Sequence, residues 1–466
     1  MSKKILSSFF EPESLAVIGS LREGFFGGRV VVQALLNAGF KGKVYPIHPS
    51  YKEILGRKVY SSIKDVSAKV DLALIITGNH AVPDLLRECA EKGVKAAIVV
   101  SDGFAERDEK GATLQREIVE IARQEGMRIL GPNTAGVANP RIGLTTSPYL
   151  AGYDQIKVGG IAIGAQTGMI NPQAFPYFDL HYGVSKICDF GNKCDVDECD
   201  LLEYLGRDPV TKVIALYLES IGDGRRFLNV SREISASKPV LILKSGRTKE
   251  GARVSASHTG SLAANDQIFS AACKQAGVLR LEKFNDLFEL PKMFASQPLP
   301  RGNRMAIISY TGAVGVLATD EGETYGLTTP SLSPHTASKL HAIFPGLGMT
   351  IVDIGPLMVV AGDLTSLYQE ILETVLEDDH VDCLFNVLWT GPEEGSSEIY
   401  LKTYEALGRN HPKPIATWIY GPRSPLVTRL SQRLEDLGFP VFSNLEMAVK
   451  ALGMAWQYAR RKKERE

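Results

Sequence analysis

The sequence predicts an α/β protein made of three doubly wound domains, and three observations carry that reading. Short β-branched apolar runs alternate with amphipathic helical segments from one end to the other. The chain has 466 residues, which at about 150 per domain gives roughly three cores. A single Pro- and Gly-rich stretch, Gln297-Pro-Leu-Pro-Arg-Gly-Asn303, interrupts the alternation and reads as a linker. Parallel strands covered on both faces are apolar throughout, and alternation with helices implies right-handed βαβ units.

Taken in order, the first set has strands at Leu15–Ile18, Val44–Ile47, Leu72–Ile76, Ala96–Val100 and Arg128–Leu130. Helices such as Val82–Lys92 and Thr113–Gln124 lie between them, giving a first domain over 1–148. A second domain, 149–296, holds strands at Gly160–Ile163, Ser185–Ile187, Val213–Leu218 and Val240–Lys244. The third, 303–458, holds Met305–Ser309, Cys383–Leu388, Pro414–Ile419 and Pro440–Phe442.

Composition excludes several classes. Lys+Arg is 52 and Asp+Glu is 53, so no net charge argues for nucleic-acid binding. The basic run Arg460–Lys463 is followed by Glu464 and Glu466 and reads as a solvated helix end. Six cysteines are too few for a disulfide scaffold in this length, and Cys188, Cys194 and Cys199 lack a zinc spacing. No metal site is therefore expected, and the thiols read as reduced and structural. No apolar run approaches membrane-spanning length and no signal-type segment precedes Glu11, so the expectation is a cytoplasmic protein.

The first strand runs into Gly19-Ser20-Leu21-Arg22, then Gly27-Gly28 and a helix from about Arg29. Unpaired amides and the helix dipole make such a turn an anion site, with Arg22 able to pair with a phosphate. The spacing is not GxGxxG. The second strand ends Pro46-Ile47-His48-Pro49, without the carboxylate that a nicotinamide dinucleotide's ribose needs. A different phosphorylated nucleotide fits these residues better than NAD, with a plain structural turn as the alternative.

Of eight histidines, His258 stands apart. Twelve of the 20 residues from 246 to 265 are Gly, Ala, Ser or Thr, which reads as a surface loop before a helix capped by Asn265 or Asp266. A neutral imidazole among small hydroxyl residues can approach a phosphate and act as nucleophile. Glu219, at the carboxyl end of a strand, could fix its tautomer. Ala165-Gln166-Thr167-Gly168, expected to open another helix, could hold a phosphoryl group. Together these suggest phosphoryl transfer through a phosphohistidine.

The motifs Ala16-Val-Ile-Gly-Ser20, Ser101-Asp-Gly-Phe-Ala-Glu106, Gly131-Pro-Asn133, Lys244-Ser-Gly-Arg247 and Ser257-His-Thr-Gly-Ser-Leu-Ala263 resemble, in this order, the α subunit of the NDP-forming acyl-CoA synthetases. These are typified by ADP-forming acetate–CoA ligase and more distantly by succinyl-CoA synthetase α. The resemblance implies a Rossmann-like CoA-binding domain followed by two flavodoxin-like ligase domains. It implies that carboxylic acid, CoA and ATP interconvert with acyl-CoA, ADP and phosphate through acyl phosphate and phosphohistidine.

By the same resemblance His258 carries the phosphoryl group, Glu219 positions it, and Gln166, Thr167, Gly168, Thr259 and Gly260 bind phosphate. CoA would lie on Gly19, Ser20, Arg22, Gly27, Gly28, Pro46, His48, Pro49, Thr77 and Gly78. ATP or ADP with Mg2+ would be held mainly by a separate ATP-grasp β subunit in an α2β2 assembly, since neither a P-loop nor an ATP-grasp domain is found in the chain. A small carboxylic acid completes the substrates. The alternative is a non-catalytic CoA-binding module that regulates or scaffolds.

The chain departs from the family pattern at several places. Ala165 replaces the first serine of the phosphate turn, Thr77-Gly78-Asn79 replaces a Pro-Ala pair, and Thr134 replaces a cysteine. Tyr310-Thr-Gly-Ala313 and Thr350-Ile-Val-Asp-Ile354 diverge in the third domain.

Overall fold

The computed structural model describes residues 2–149, 156–171, 183–259, 265–347, 350–357, 364–393, 397–408 and 411–465, without the side chains of 2–5, 255–259 and 364–365. The chain separates into two compact units, Met1–Leu287 and Phe288–Glu466.

The first unit holds two large sheets. In the first, β1 (Ser14–Gly19), β2 (Lys43–Ile47), β5 (Leu72–Ile76), β6 (Ala96–Val99) and β7 (Arg128–Leu130) pair in parallel, in the order β2-β1-β5-β6-β7. β3 (Glu53–Ile54) and β4 (Arg57–Lys58) pair as a separate two-stranded hairpin. Alternate residues of each strand enter two different cores. Leu15, Val17, Leu72 and Leu74 face one, and Ala16, Ile18, Ala73 and Ile75 the other. Burial on both faces is why these strands read as unbroken apolar runs.

The second sheet contains β10 (Lys157–Ala165), β11 (Gly183–Asp189), β12 (Val213–Leu218), β13 (Val240–Lys244) and β14 (Leu279–Leu281). They run parallel in the order β14-β13-β12-β10-β11. Two short strands, β8 (Val137–Asn139) and β9 (Leu144–Thr145), extend it antiparallel beyond β11. The domain boundary read after residue 148 thus falls beyond two strands that hydrogen-bond into the second sheet. Strands this short carry almost no periodicity to read. One apolar core spans both sheets, from Leu6, Phe9 and Phe10 of the N-terminal helix Ser2–Phe10 to Val278. Phe10 stacks on Tyr204 with ring centroids 4.8 Å apart.

The second unit holds β15 (Met305–Ser309), β16 (Ile351–Asp353), β17 (Cys383–Trp389), β18 (Ile415–Tyr420) and β19 (Val441–Phe442), parallel in the order β16-β15-β17-β18-β19. All three sheets therefore repeat one winding. Among the parallel strands of each, the second lies to one side of the first and the remainder to the other, so the crossover direction reverses at the first. Ligands of open α/β sheets bind at the carboxyl ends beside such reversals.

Two sequence expectations change here. The stretch 297–303 begins as packed chain, not free linker: Gln297 accepts from the amide of Ile415 at 2.9 Å and donates to the carbonyl of Gly438 at 2.8 Å. The segment expected as a loop around His258 is helical over Lys249–Thr259, with the Thr248 hydroxyl accepting from Gly251 N at 3.0 Å. Its described side chains, 249–254, bury little, with Val254 55% exposed, so they form no apolar stripe that would mark a helix. Among the described residues no helix is long and apolar enough to cross a membrane.

Candidate active site

At the first sheet's reversal, β1 ends in Gly19 with φ 124°, and a Cβ there would stand 1.9 Å from the carbonyl oxygen of Ile76. Only glycine fits. The amide of Ser20 then donates to that carbonyl at 3.0 Å, bringing the turns after β1 and β5 together. They open on a cavity of about 1500 Å³. Of the residues expected to hold CoA, Gly19, Ser20, Arg22, His48, Pro49, Thr77 and Gly78 line it.

Gly27, Gly28 and Pro46 do not. The amide of Gly27 donates to Pro148 O at 2.9 Å and that of Gly28 to Ser20 O at 2.7 Å, so both are spent on backbone. Pro46 lies inside β2, paired with Val17. The helix that begins there, Gly28–Asn37, therefore offers a ligand fewer amides than a free helix start would.

The same cavity reaches the second sheet at Gly168 and Asp189. There β10 runs into Gln166, whose Oε1 accepts from the amides of Glu219 at 2.7 Å and Ser220 at 3.1 Å. One buried side chain thereby fixes the turn that carries Glu219, whose Oε1 accepts from the Tyr217 hydroxyl at 3.2 Å. Thr167 Oγ1 accepts from Met169 N at 3.3 Å and caps a three-residue 3-10 turn, Gly168–Ile170. The longer helix expected after Gly168 is not among the described residues.

His258 and Thr259 close the helix Lys249–Thr259, and Gly260 lies outside the described residues. The backbone thus places His258 beyond the end of β13, two strands from β10, while the side chains of 255–259 stand outside the description.

Sequence reading missed Asp189, the last residue of β11. It is 2% exposed, with Oδ2 accepting from Ala135 N at 2.6 Å and Oδ1 from Gly191 N at 3.1 Å. Burial pushes its carboxyl up to about 6 against those donors, and the charge of Glu219 adds in the same direction. A carboxylate at a strand's carboxyl end beside the reversal was the available signal. Ser101, Asn133, Thr134 and Tyr149 also line the cavity, brought there by loops that sequence spacing does not connect.

In its first 140 residues the chain matches the CoA binding domain over 13–140, and it matches the succinyl-CoA ligase like flavodoxin domain over 158–294. It is 38% identical to acetate–CoA ligase (ADP-forming) II of Archaeoglobus fulgidus, over 98% of this chain and 67% of that one. It is 33% identical to the α subunit of acetate–CoA ligase (ADP-forming) I of Pyrococcus furiosus, over 98% of each. Among solved structures, the dinucleotide forming acetyl-coenzyme A synthetase 1 of Ca. Korarchaeum cryptofilum, in complex with phosphate and ADP, superposes with a TM-score of 0.89 at 31% identity, covering 98% of this chain and 97% of that one.

Proposed function

The chain belongs to the family of ADP-forming acetate–CoA ligases, and from that premise we propose that it is the catalytic α subunit of an ADP-forming acyl-CoA synthetase. The observation that carries the proposal is the shared cavity: Gly19, Ser20, Thr77 and Gly78 of the first sheet and Gly168 and Asp189 of the second line one continuous space. Its volume exceeds the roughly 300–1,000 Å³ of drug-sized pockets, in keeping with an extended nucleotide thiol.

In this reading Ser20, Arg22, His48, Thr77 and Gly78 hold CoA, which supplies the thiol of the thioester. Phosphate converts acyl-CoA to acyl phosphate and free CoA. The imidazole of His258 attacks the phosphorus, the carboxylate leaves, and the phosphoryl group passes from His258 to ADP. Glu219, held by Gln166, orients and stabilises the imidazole as it becomes cationic. Gln166, Thr167, Gly168, Thr259 and Gly260 complete the phosphate site.

ADP and Mg2+ fall mainly to a separate ATP-grasp β subunit in an α2β2 assembly, located in the cytoplasm. The P. furiosus relative is itself named an α subunit, and the A. fulgidus relative continues beyond this chain's match. The division into domains at 1–148, 149–296 and 303–458 belongs to the same proposal.

The test uses the chain with its ATP-grasp subunit, γ-labelled ATP and Mg2+. An acid-labile, base-stable phosphoryl label should appear, be absent from His258→Ala, and be discharged by CoA with a carboxylic acid. A chain that binds CoA but takes no label beside an active partner is a binding module instead.

A further inference from the structure

Two lysines with buried side chains close on the turn after β12 from the ends of β13 and β11. Lys244, the last residue of β13, is 2% exposed, and its Nζ donates to the carbonyls of Glu219 at 3.2 Å and Ser245 at 2.8 Å. Lys193, in the loop after β11, donates from Nζ to the carbonyl of Ser220 at 2.7 Å and to Glu198 Oε2 at 2.6 Å. With Gln166 accepting both amides, all four backbone polar groups of Glu219 and Ser220 are engaged by side chains from three other strand ends.

This arrangement is costly in two ways. Lys193 holds φ at 54°, a left-handed conformation that is unfavourable for a residue with a side chain. Such strain persists only where surrounding contacts enforce it, and it gathers at functional sites. Removing ammonium groups from water is also unfavourable, and burial lowers Lys244 below its ordinary value. A turn needs only neutral hydrogen-bond donors for support. Lys193 pairs with Glu198 as well as with the turn, but Lys244 brings its ammonium to two carbonyls, which exceeds that need and suits a place where a phosphoryl group's negative charge is handled.

We propose that Lys193 and Lys244 are positioning residues for phosphoryl transfer, holding the Glu219–Ser220 turn against Gln166, with Lys244 adding positive charge at the second sheet's carboxyl edge. The proposal rests on the phosphohistidine reading above. It goes further in assigning that role to two lysines whose hydrogen bonds run to the turn and to the protein around it.

The test compares Lys→Met and Lys→Gln at 193 and at 244, in the synthetase reconstituted with its ATP-grasp subunit. Gln keeps a donor without the charge, and Met keeps neither. Single-turnover phosphorylation of His258, KM for inorganic phosphate, CoA affinity and thermal stability are read together.

The Met variants should phosphorylate about 100-fold more slowly and the Gln variants at least about tenfold more slowly, with KM for phosphate raised and CoA affinity unchanged. Folded Gln variants that phosphorylate at the wild-type rate overturn the proposal, because the charges then contribute nothing. Gln variants that fail to fold overturn it as well, since that is how a purely structural pair behaves. A wild-type chain that takes no label overturns the phosphohistidine reading itself, so the two failures are distinct.

Discussion

The second and third sheets wind identically, yet their carboxyl edges differ in chemistry. In the second, the ends of β10 to β13 present Gln166, Asp189, Glu219 and Lys244. At the corresponding places after β15 to β18 stand Tyr310, Asp353, Thr390 and Tyr420. The polar groups of the second edge hold backbone: Gln166 takes the amides of Glu219 and Ser220, Asp189 those of Ala135 and Gly191, and Lys244 gives to two carbonyls. At the third edge Asp353 likewise takes an amide, that of Gly355 at 2.9 Å, but the Tyr310 phenol packs against its own core. The Tyr310 hydroxyl meets that of Tyr400, which donates to Trp389 O at 2.9 Å. Topology fixes where a ligand can sit, and side chains decide whether chemistry is done there.

The comparison breaks most visibly at Glu219. Glu219→Gln keeps the shape of the side chain but removes its charge, so phosphorylation of His258 should fall by roughly 10³-fold, as it does when a carboxylate that orients a histidine is neutralised. Thermal denaturation checks that the variant remains folded, and a rate near wild type would place the second edge on the same footing as the third. Gln166→Ala acts one step further out. It strips two amides of their acceptor, so stability should drop by about 1–3 kcal/mol in denaturant titration, with a smaller rate loss than at Glu219.

Much of this architecture was legible because both faces of the central strands are covered. Leu72–Ile76 and Val213–Leu218 show as apolar runs, and the structure returns those same ranges. The strand ends followed from the βαβ alternation, so Glu219 stood out at the end of its strand and Gln166 in the turn after another, whereas the reversal points needed the strand order of the structure. The clamp around them did not. Gln166 meets Glu219 across 53 positions, Lys193 meets Ser220 across 27 and Lys244 meets Glu219 across 25, and no local pattern encodes such pairings. The helix Lys249–Thr259 was hidden for a different reason. Its Lys, Glu, Ala and Arg favour a helix, but Val254 is its one large apolar residue, so its small residues read as loop.

Asp189 sharpens the comparison through pH. Its carboxyl, raised to about 6 by burial and then by the charge of Glu219, keeps its proton in the folded chain where the unfolded chain has lost it. The folded state thus binds more protons between about pH 4 and 6, and this group's contribution to stability falls as pH rises through that window. Denaturant titrations across it should show a loss of roughly 1–3 kcal/mol that is missing from Asp189→Asn. The slope is the diagnostic, because a constant offset between the two proteins records only the hydrogen bond that Asn cannot accept. Equal slopes would mean that Asp189 titrates as an ordinary carboxylate.

The smallest effect belongs to the third edge. Tyr310→Phe removes one hydroxyl from the pair with Tyr400, but Tyr400 keeps its bond to Trp389 O, so no buried donor is stranded. The cost should be that of one ordinary hydrogen bond, about 0.5–1.5 kcal/mol in denaturant titration. Phosphorylation of His258 should stay within about twofold of wild type, because the inward-turned phenol serves its own core. A folded Tyr310→Phe chain whose label falls tenfold or more would show the opposite. The third edge would then take part in phosphoryl transfer, and identical winding would have yielded two working sites where the side chains mark one.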